Sequence, residues 1–183
     1  AGPERNALYK KYFPSAKKTK MIDWDFVETC WEKEPREYQY VAANYLKAMQ
    51  SYLTKDDLPK LERLVVTKSW WDTVDILDRV VGSLVADHPK LEDVLLKWSL
   101  SDNIWLRRVA IDHQLLRKEK TNVQLMEKIL INNLDQTEFF INKAIGWALR
   151  DYSKTNPEWV ARFIEKNKKR MAELSIKEAS KYL

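Results

Sequence analysis

The stretch Lys68-Ser69-Trp70-Trp71-Asp72-Thr73-Val74-Asp75 decides the architecture, because it starts a long helix whose pattern returns later in the chain. Two adjacent tryptophans open this helix, and a carboxylate follows one turn after the second. Residues four apart share a helix face, so Trp71 and Asp75 are expected to present an aromatic ring and an anion side by side. Such a pair suits a cationic ligand.

Two later segments begin long helices in the same way: Asn103-Ile104-Trp105 and Glu138-Phe139-Phe140. The aligned aromatic residues, Trp71, Trp105 and Phe140, are separated by 34 and 35 residues, and a shorter amphipathic segment precedes each long one. A period of this length is typical of helical-pair arrays. The sequence therefore predicts an all-α, HEAT-like helical-repeat solenoid, in which antiparallel helix pairs place their inner helices along a concave face.

The rest of the sequence favours the same class. Three glycines in 183 residues are too few for a sheet-rich fold with many tight turns. From Met21 onward, apolar residues recur at helical spacing. The expected caps of the helices that follow them are Ser101, Thr121, Thr137 and Asn156. The predicted helices cover residues 23–33, 36–53, 57–66, 70–87, 89–100, 103–118, 122–134, 138–155, 157–168 and 175–182.

Composition limits the class of protein. A chain of 183 residues with 45% apolar content predicts a single domain over residues 1–183. No apolar run approaches the roughly 18 residues of a membrane helix and no signal peptide opens the chain, so we expect a cytoplasmic protein without membrane contact. Cys30 and two histidines are too few for a Cys-rich or His-based metal site, and we expect no metal or cofactor. The net charge of +5 permits, without requiring, a polyanionic partner.

The inner helices carry a polar stripe that includes tryptophan. The side chains projected onto it are Trp71, Asp75 and Asp78 in the first helix, Arg108 and Asp112 in the second, and Lys143, Trp147, Arg150 or Asp151, and Lys154 in the third. A tryptophan in a plain solvent-facing stripe would expose apolar surface without a partner. Its presence there indicates a ligand.

These residues also have purely structural interpretations. Asp75 and Arg108 could form an ordinary ion pair between helices, and Lys143, Arg150 and Lys154 could be a solvated surface. Most tryptophans of a helical solenoid pack in its core. On that basis six are assigned to packing: Trp24, Trp31, Trp70, Trp98, Trp105 and Trp159.

Three segments together resemble a known family. They are Lys68 to Asp75, Asp102 to Arg108 and Lys143 to Pro157, and in order and spacing they resemble the signature segments of the DNA alkylation repair glycosylases of the AlkD-like family. The resemblance implies base excision repair by a HEAT-like solenoid that removes positively charged alkylpurines, such as 3-methyladenine and 7-methylguanine. It also implies that the concave face is a DNA-binding face. Its partner would be double-stranded DNA containing alkylated bases, in a cytoplasm of bacterial type with a nucleoid.

The resemblance also implies roles for individual residues. Trp71 and Trp147 match the tryptophans of the family's catalytic cleft, and Asp75 matches its catalytic carboxylate. Arg108 matches its backbone-binding arginine. The remaining predicted DNA contacts are the cations of the third inner helix: Lys143, Arg150 and Lys154.

The chemistry of such a reaction suits these residue types. An alkylated purine already carries positive charge, so it is a good leaving group without protonation. A carboxylate stabilises the oxocarbenium-like sugar and orients or deprotonates water, while indole faces stabilise both cations. No lysine nucleophile is needed, so we predict a monofunctional hydrolase.

Two other classes of function stay open at this stage. One is a non-catalytic relative that binds damaged or branched DNA, and the other is a protein-binding helical solenoid. We expect a monomer that lacks the N-terminal helices of the family, which leaves any DNA contacts from those helices out of the prediction.

Overall fold

The computed structural model describes residues 2–183, and in these residues the chain is helical with no β-strand. Short loops and 3-10 turns join the helices. Among the described residues, no helix combines the length and the apolar character that crossing a membrane requires. The helices are Gly2–Lys10 (α1), Phe13–Lys17 (α2), Trp24–Glu32 (α3), Arg36–Ala48 (α4), Leu58–Val66 (α5), Trp71–Asp87 (α6), Glu92–Trp98 (α7), Ile104–Asp112 (α8), Val123–Ile131 (α9), Phe139–Ser153 (α10), Pro157–Asn167 (α11) and Glu173–Ala179 (α12).

Two compact units divide the chain: the first ends at His88 and the second is Pro89–Leu183. Each has its own buried apolar side chains. In the first these include Leu46, Leu61, Leu77 and Val80, and in the second Leu95, Val109, Leu130, Ile141 and Leu149. That the whole chain forms one domain stays a prediction.

Hydrogen bonds between residues about one period apart hold neighbouring repeats together inside each unit. In the first unit, the indole of Trp31 donates to the carbonyl of Thr67 at 2.9 Å, across 36 residues. In the second, the amide of Asn133 donates to the carbonyl of Ser99 at 3.1 Å, across 34 residues. The predicted all-α class with HEAT-like helical repeats is confirmed.

The last helix, α12, extends the repeat beyond the three long helices that the sequence pattern identified. Ser175 follows Phe140 by 35 residues, the spacing that separates Phe140 from Trp105. The hydroxyl of Ser175 is buried and donates to the carbonyl of Asn142 at 2.7 Å. α12 therefore lies against α10 as a fourth, shorter member of the series.

The structure corrects several predicted helix boundaries. α1 and α2 were not predicted, because neither contains a buried residue and so neither shows an apolar period. The helix predicted over 36–53 ends at Ala48. The helix predicted over 103–118 ends at Asp112, and Leu116 beyond it adopts a left-handed backbone with φ 69°, which does not fit the interior of an α-helix.

The caps are also corrected. Asn156 caps α11 as predicted, accepting from the backbone N–H of Trp159 at 3.1 Å. For α8, α9 and α10 the capping side chain belongs to a later residue than the one predicted: Asn103, Asn122 and Glu138 replace Ser101, Thr121 and Thr137. An asparagine at the cap position accepts from the first free N–H groups as well as a serine hydroxyl does. The longer side chain of Glu138 accepts from the backbone N–H of Phe140 at 3.4 Å.

Candidate functional site

In the first unit, α6 begins at Trp71 and carries Asp75 one turn later. The intervening Val74 and the following Leu77 are fully buried and fix which face of the helix meets the core. Trp71 is 49% exposed, and Asp75 is half-buried. This unit therefore presents an accessible indole and a carboxylate on one helix face, as the spacing predicts.

Arg36 holds the turn that precedes α6. The sequence pattern did not identify this residue. Its guanidinium donates to the carbonyl of Lys68 at 2.6 Å and, through Nε, to the carboxylate of Asp72 at 3.2 Å. The hydroxyl of Tyr40 donates to the same carboxylate. Lys68 adopts a left-handed backbone with φ 52°, so the contact holds a sharp turn in place. Arg36 and Asp72 are 36 residues apart, and this spacing is the signal that could have identified the pair.

The pKa values of Asp72, Tyr40 and Arg36 are shifted in the directions that keep their hydrogen bonds intact at neutral pH. Burial raises the pKa of Asp72, but the hydrogen bonds from Arg36 and Tyr40 outweigh it, and the pKa of the carboxyl lies below its usual value. The hydrogen bond to Asp72 raises the pKa of the Tyr40 phenol and of the Arg36 guanidinium. At neutral pH the three groups are therefore an anion, a neutral phenol and a cation, suited to hold the turn before Trp71 rather than to transfer protons.

The assignment of Trp70 to packing is wrong. Its side chain is 48% exposed, nearly the same fraction as that of Trp71. Trp70 is the residue before α6 and has an extended backbone, so the helix does not direct its side chain into the core. The five other tryptophans assigned to packing are buried or half-buried as predicted: Trp24, Trp31, Trp98, Trp105 and Trp159.

In the second unit, Trp147 lies close to two cations. The guanidinium carbon of Arg108 is 4.9 Å from the centroid of the indole ring, and Nζ of Lys143 is 6.0 Å from it. Attraction between a cation and an indole is worth about 0.5–2 kcal/mol, more as water is excluded. The structure thus brings three predicted site residues, Arg108, Lys143 and Trp147, into one cluster on α8 and α10.

Arg108 is more buried than a DNA contact was expected to be. Only 1% of its surface is exposed, and its guanidinium donates to the carbonyl of Phe140 at 2.6 Å. In this arrangement Arg108 connects α8 to the start of α10 and supports the ring of Trp147. A phosphate would reach the guanidinium only after neighbouring side chains move, and the role of Arg108 in DNA binding stays a prediction.

The remaining predicted cations face the C-terminal segment. The carboxylate of Glu178 accepts from Nζ of Lys143 at 2.8 Å and from Arg150 at 2.7 Å. Lys154 is exposed, and its Nζ lies 5.0 Å from the ring centroid of Tyr182. Sequence reasoning missed Glu178 and Tyr182, although each follows its counterpart on α10, Lys143 and Trp147, by 35 residues.

Three predicted carboxylates of the stripe do not face solvent freely. Asp78 is 3% exposed and accepts from Nε of Arg79 at 2.8 Å, while Asp112 is fully buried. Asp151 accepts from the backbone N–H of Leu116 at 2.8 Å, which leaves Arg150 as the member of that pair directed toward α12. Of the two acids predicted on the stripe of α6, Asp75 is the accessible one.

Comparison with known proteins gives a consistent result. A family model described as DNA alkylation repair enzyme matches residues 1–183. A solved structure titled as a predicted DNA alkylation repair enzyme from Enterococcus faecalis is 37% identical, with a TM-score of 0.89 over 100% of this chain and 86% of that chain. AlkD2 from Streptococcus mutans is 19% identical, with a TM-score of 0.72 over 96% of this chain and 90% of that chain, and shares the fold. Among curated proteins no match is found.

Proposed function

The chain belongs to the family of DNA alkylation repair enzymes, and we propose that it is a monofunctional DNA glycosylase acting on positively charged alkylated purines in double-stranded DNA. Its substrates would include 3-methyladenine and 7-methylguanine. The observation that carries the proposal is the pairing of the half-exposed Trp71 with Asp75 one turn later on α6. An indole and a carboxylate on one face suit a cationic base attached to a sugar that becomes cationic.

The proposed reaction needs little proton transfer to the base. The bond between the sugar C1′ and the alkylated nitrogen breaks, and its electron pair neutralises the positive charge of the departing purine. Asp75 stabilises the resulting sugar cation electrostatically and accepts a proton from the water that attacks C1′. Trp71 and Trp147 stabilise the cationic base and sugar through their ring faces. The substrate supplies the charge that drives departure, so the proposal includes no cofactor.

The proposed DNA contacts are cations of the second unit. Lys143, Arg150 and Lys154 lie along α10 and would meet phosphates of the DNA backbone, with Arg108 beside Trp147. Contacts of this kind give an affinity that falls with salt concentration. A monomeric state and a cytoplasmic location complete the proposal.

The test is release of 7-methylguanine from methylated duplex DNA by the purified protein. Replacing Asp75 with Asn should slow release by about 10²–10³-fold, since an uncharged amide cannot stabilise the sugar cation. Asp25→Asn is the matched control, because Asp25 is an exposed aspartate on a helix of the same unit. Equal release by the wild type and the Asp75→Asn variant would refute the assignment.

The product identifies the class of glycosylase. A monofunctional enzyme leaves an intact strand with an abasic site that breaks only in alkali. Strand cleavage, or a borohydride-trapped covalent complex with the DNA, would indicate a lysine nucleophile instead. Salt-dependent duplex binding without base release would favour a non-catalytic DNA-binding relative.

A further inference from the structure

Gly146 lets α12 come unusually close to α10. A Cβ built on Gly146 would lie 2.6 Å from Cβ of Glu178 and 3.3 Å from the carbonyl oxygen of Ser175. The first separation is shorter than real Cβ contacts, and both atoms belong to or adjoin the backbone of α12. Only glycine therefore permits the observed spacing of the two helices at this point.

The close approach places one anion between two of the proposed phosphate contacts. Glu178 accepts from Lys143 at 2.8 Å and from Arg150 at 2.7 Å, so the three charges sum to +1 rather than the +2 of the cations alone. The hydrogen bond from Lys143, together with the charges of Lys143, Arg150 and Lys181, outweighs burial and holds the pKa of Glu178 below its usual value. At neutral pH the group is an anion.

All three groups remain within reach of solvent. The side chains of Lys143 and Arg150 are 27% and 28% exposed, and that of Glu178 is 19% exposed. A carboxylate with two donors on one side resembles a backbone phosphate in charge and in acceptor geometry. A DNA phosphate could therefore take the same donors if Glu178 moved away.

Movement of Glu178 does not require movement of its helix. Ser175 and Ala179, on either side of it, are fully buried and anchor α12. Rotation of the Glu178 side chain about its own bonds would separate its carboxylate from the two cations. The exchange is thus a local side-chain event in a helix that stays in place.

We propose that Glu178 is an internal competitor for phosphate, which occupies Lys143 and Arg150 in the free protein and is displaced when DNA binds. This inference rests on the proposed DNA-binding role of α10. Glu178 then sets the affinity for undamaged DNA, which binds only through phosphate contacts. This affinity is lowered because a phosphate must first displace Glu178 from the two cations. A repair enzyme that must leave undamaged sites quickly would gain from such weakening.

The test is the affinity of the full chain for an undamaged duplex over a range of salt concentrations. Glu178→Gln should bind about three- to tenfold more tightly than the wild type at low salt, because an anion close to the bound phosphate has been neutralised. The slope of log K against log salt should become steeper by up to about 0.9, because the charge of Glu178 no longer offsets one of the two cations beside the phosphate. Glu178→Asp, which keeps the charge but shortens the reach, should give a smaller gain.

The matched control is Glu173→Gln, which removes the same charge from the exposed first residue of α12. It should raise affinity by less than Glu178→Gln and leave the slope unchanged. The gain from Glu178→Gln should also shrink in a Lys143→Met background, since one of the released donors is then absent. The melting temperature of each variant establishes that it is folded.

Several outcomes would overturn the inference. Equal effects of the two glutamine variants would mean that Glu178 contributes only its overall charge. Weaker binding by both Glu178 variants would mean that Glu178 holds the cations in place for DNA. Duplex binding by neither wild type nor variant would overturn both the inference and DNA as the partner. Tighter binding by Glu178→Gln in a protein that releases no alkylated base would uphold the inference and remove only the glycosylase proposal.

Discussion

Replacing Gly146 with alanine tests the packing of α12 against α10. The added Cβ would lie 2.6 Å from Cβ of Glu178, about 1 Å less than an ordinary contact allows, so α12 would have to shift by a comparable distance. Overpacking costs about 1–3 kcal/mol, and a contact this short against a Cβ atom belongs to the upper part of that range, about 2–3 kcal/mol. Alanine returns about 1 kcal/mol through its better helix propensity, which leaves a net loss of about 1–2 kcal/mol in the free energy of unfolding.

For a chain of this length, the loss corresponds to a fall in melting temperature of about 2–8 °C. Thermal unfolding followed by circular dichroism would measure it. Gly2→Ala is the control for the same chemical change, because a Cβ at Gly2 would meet only the guanidinium of Arg5, at 3.9 Å. A Gly146→Ala variant as stable as the wild type, or more stable, would refute the reasoning from helix contact.

Three further predictions concern residues of both units. Asp72→Asn should lower stability at pH 7 by about 2 kcal/mol, because Arg36 loses a charged acceptor. The folded pKa of Asp72 lies below its unfolded value, so this stabilisation is fully present above about pH 4 and is lost as pH falls through the folded pKa. The two proteins should therefore converge in acid, and a constant difference in urea midpoint down to about pH 2 would contradict this account. Asn133→Ala should cost about 1–3 kcal/mol in urea denaturation, since the carbonyl of Ser99 loses its buried donor; an unchanged midpoint would show that water replaces it. Trp147→Leu should slow 7-methylguanine release about tenfold while shifting the melting temperature by only a few degrees, and release at the wild-type rate would exclude Trp147 from the site.

The repeated aromatic residues made the class of fold predictable. Trp105 is buried at the start of α8 and its ring packs 4.9 Å from that of Phe140 at the start of α10, so each marks the same structural position in its repeat. Apolar periodicity reports burial, and burial is what defines most of these helices. α1 and α2 have no buried residue, so no pattern could mark them.

The geometry of the candidate site was predictable only where a single helix contains its residues. The pairing of Trp71 with Asp75 depends on the spacing of four residues within α6. The burial of Arg108 and the ion pairs of Glu178 depend on which helices pack against α8 and α10. The sequence alone does not distinguish a charged side chain in solvent from one in the interior. Lys143 and Glu178 are 35 residues apart, which is one repeat period. This spacing predicts their contact only if α12 is recognised as a fourth helix of the repeat.

The hydrogen bonds that join residues about one period apart restrict how this chain can change in length. A donor such as Trp31 finds its acceptor in the neighbouring repeat, 36 residues later, and Asn133 finds Ser99 34 residues earlier. Removing half a period inside a unit would separate such pairs, whereas removing a whole period would keep the helix register of one repeat against the next. We therefore expect gains and losses of sequence within a unit to occur in steps of one repeat, with smaller changes confined to the loops.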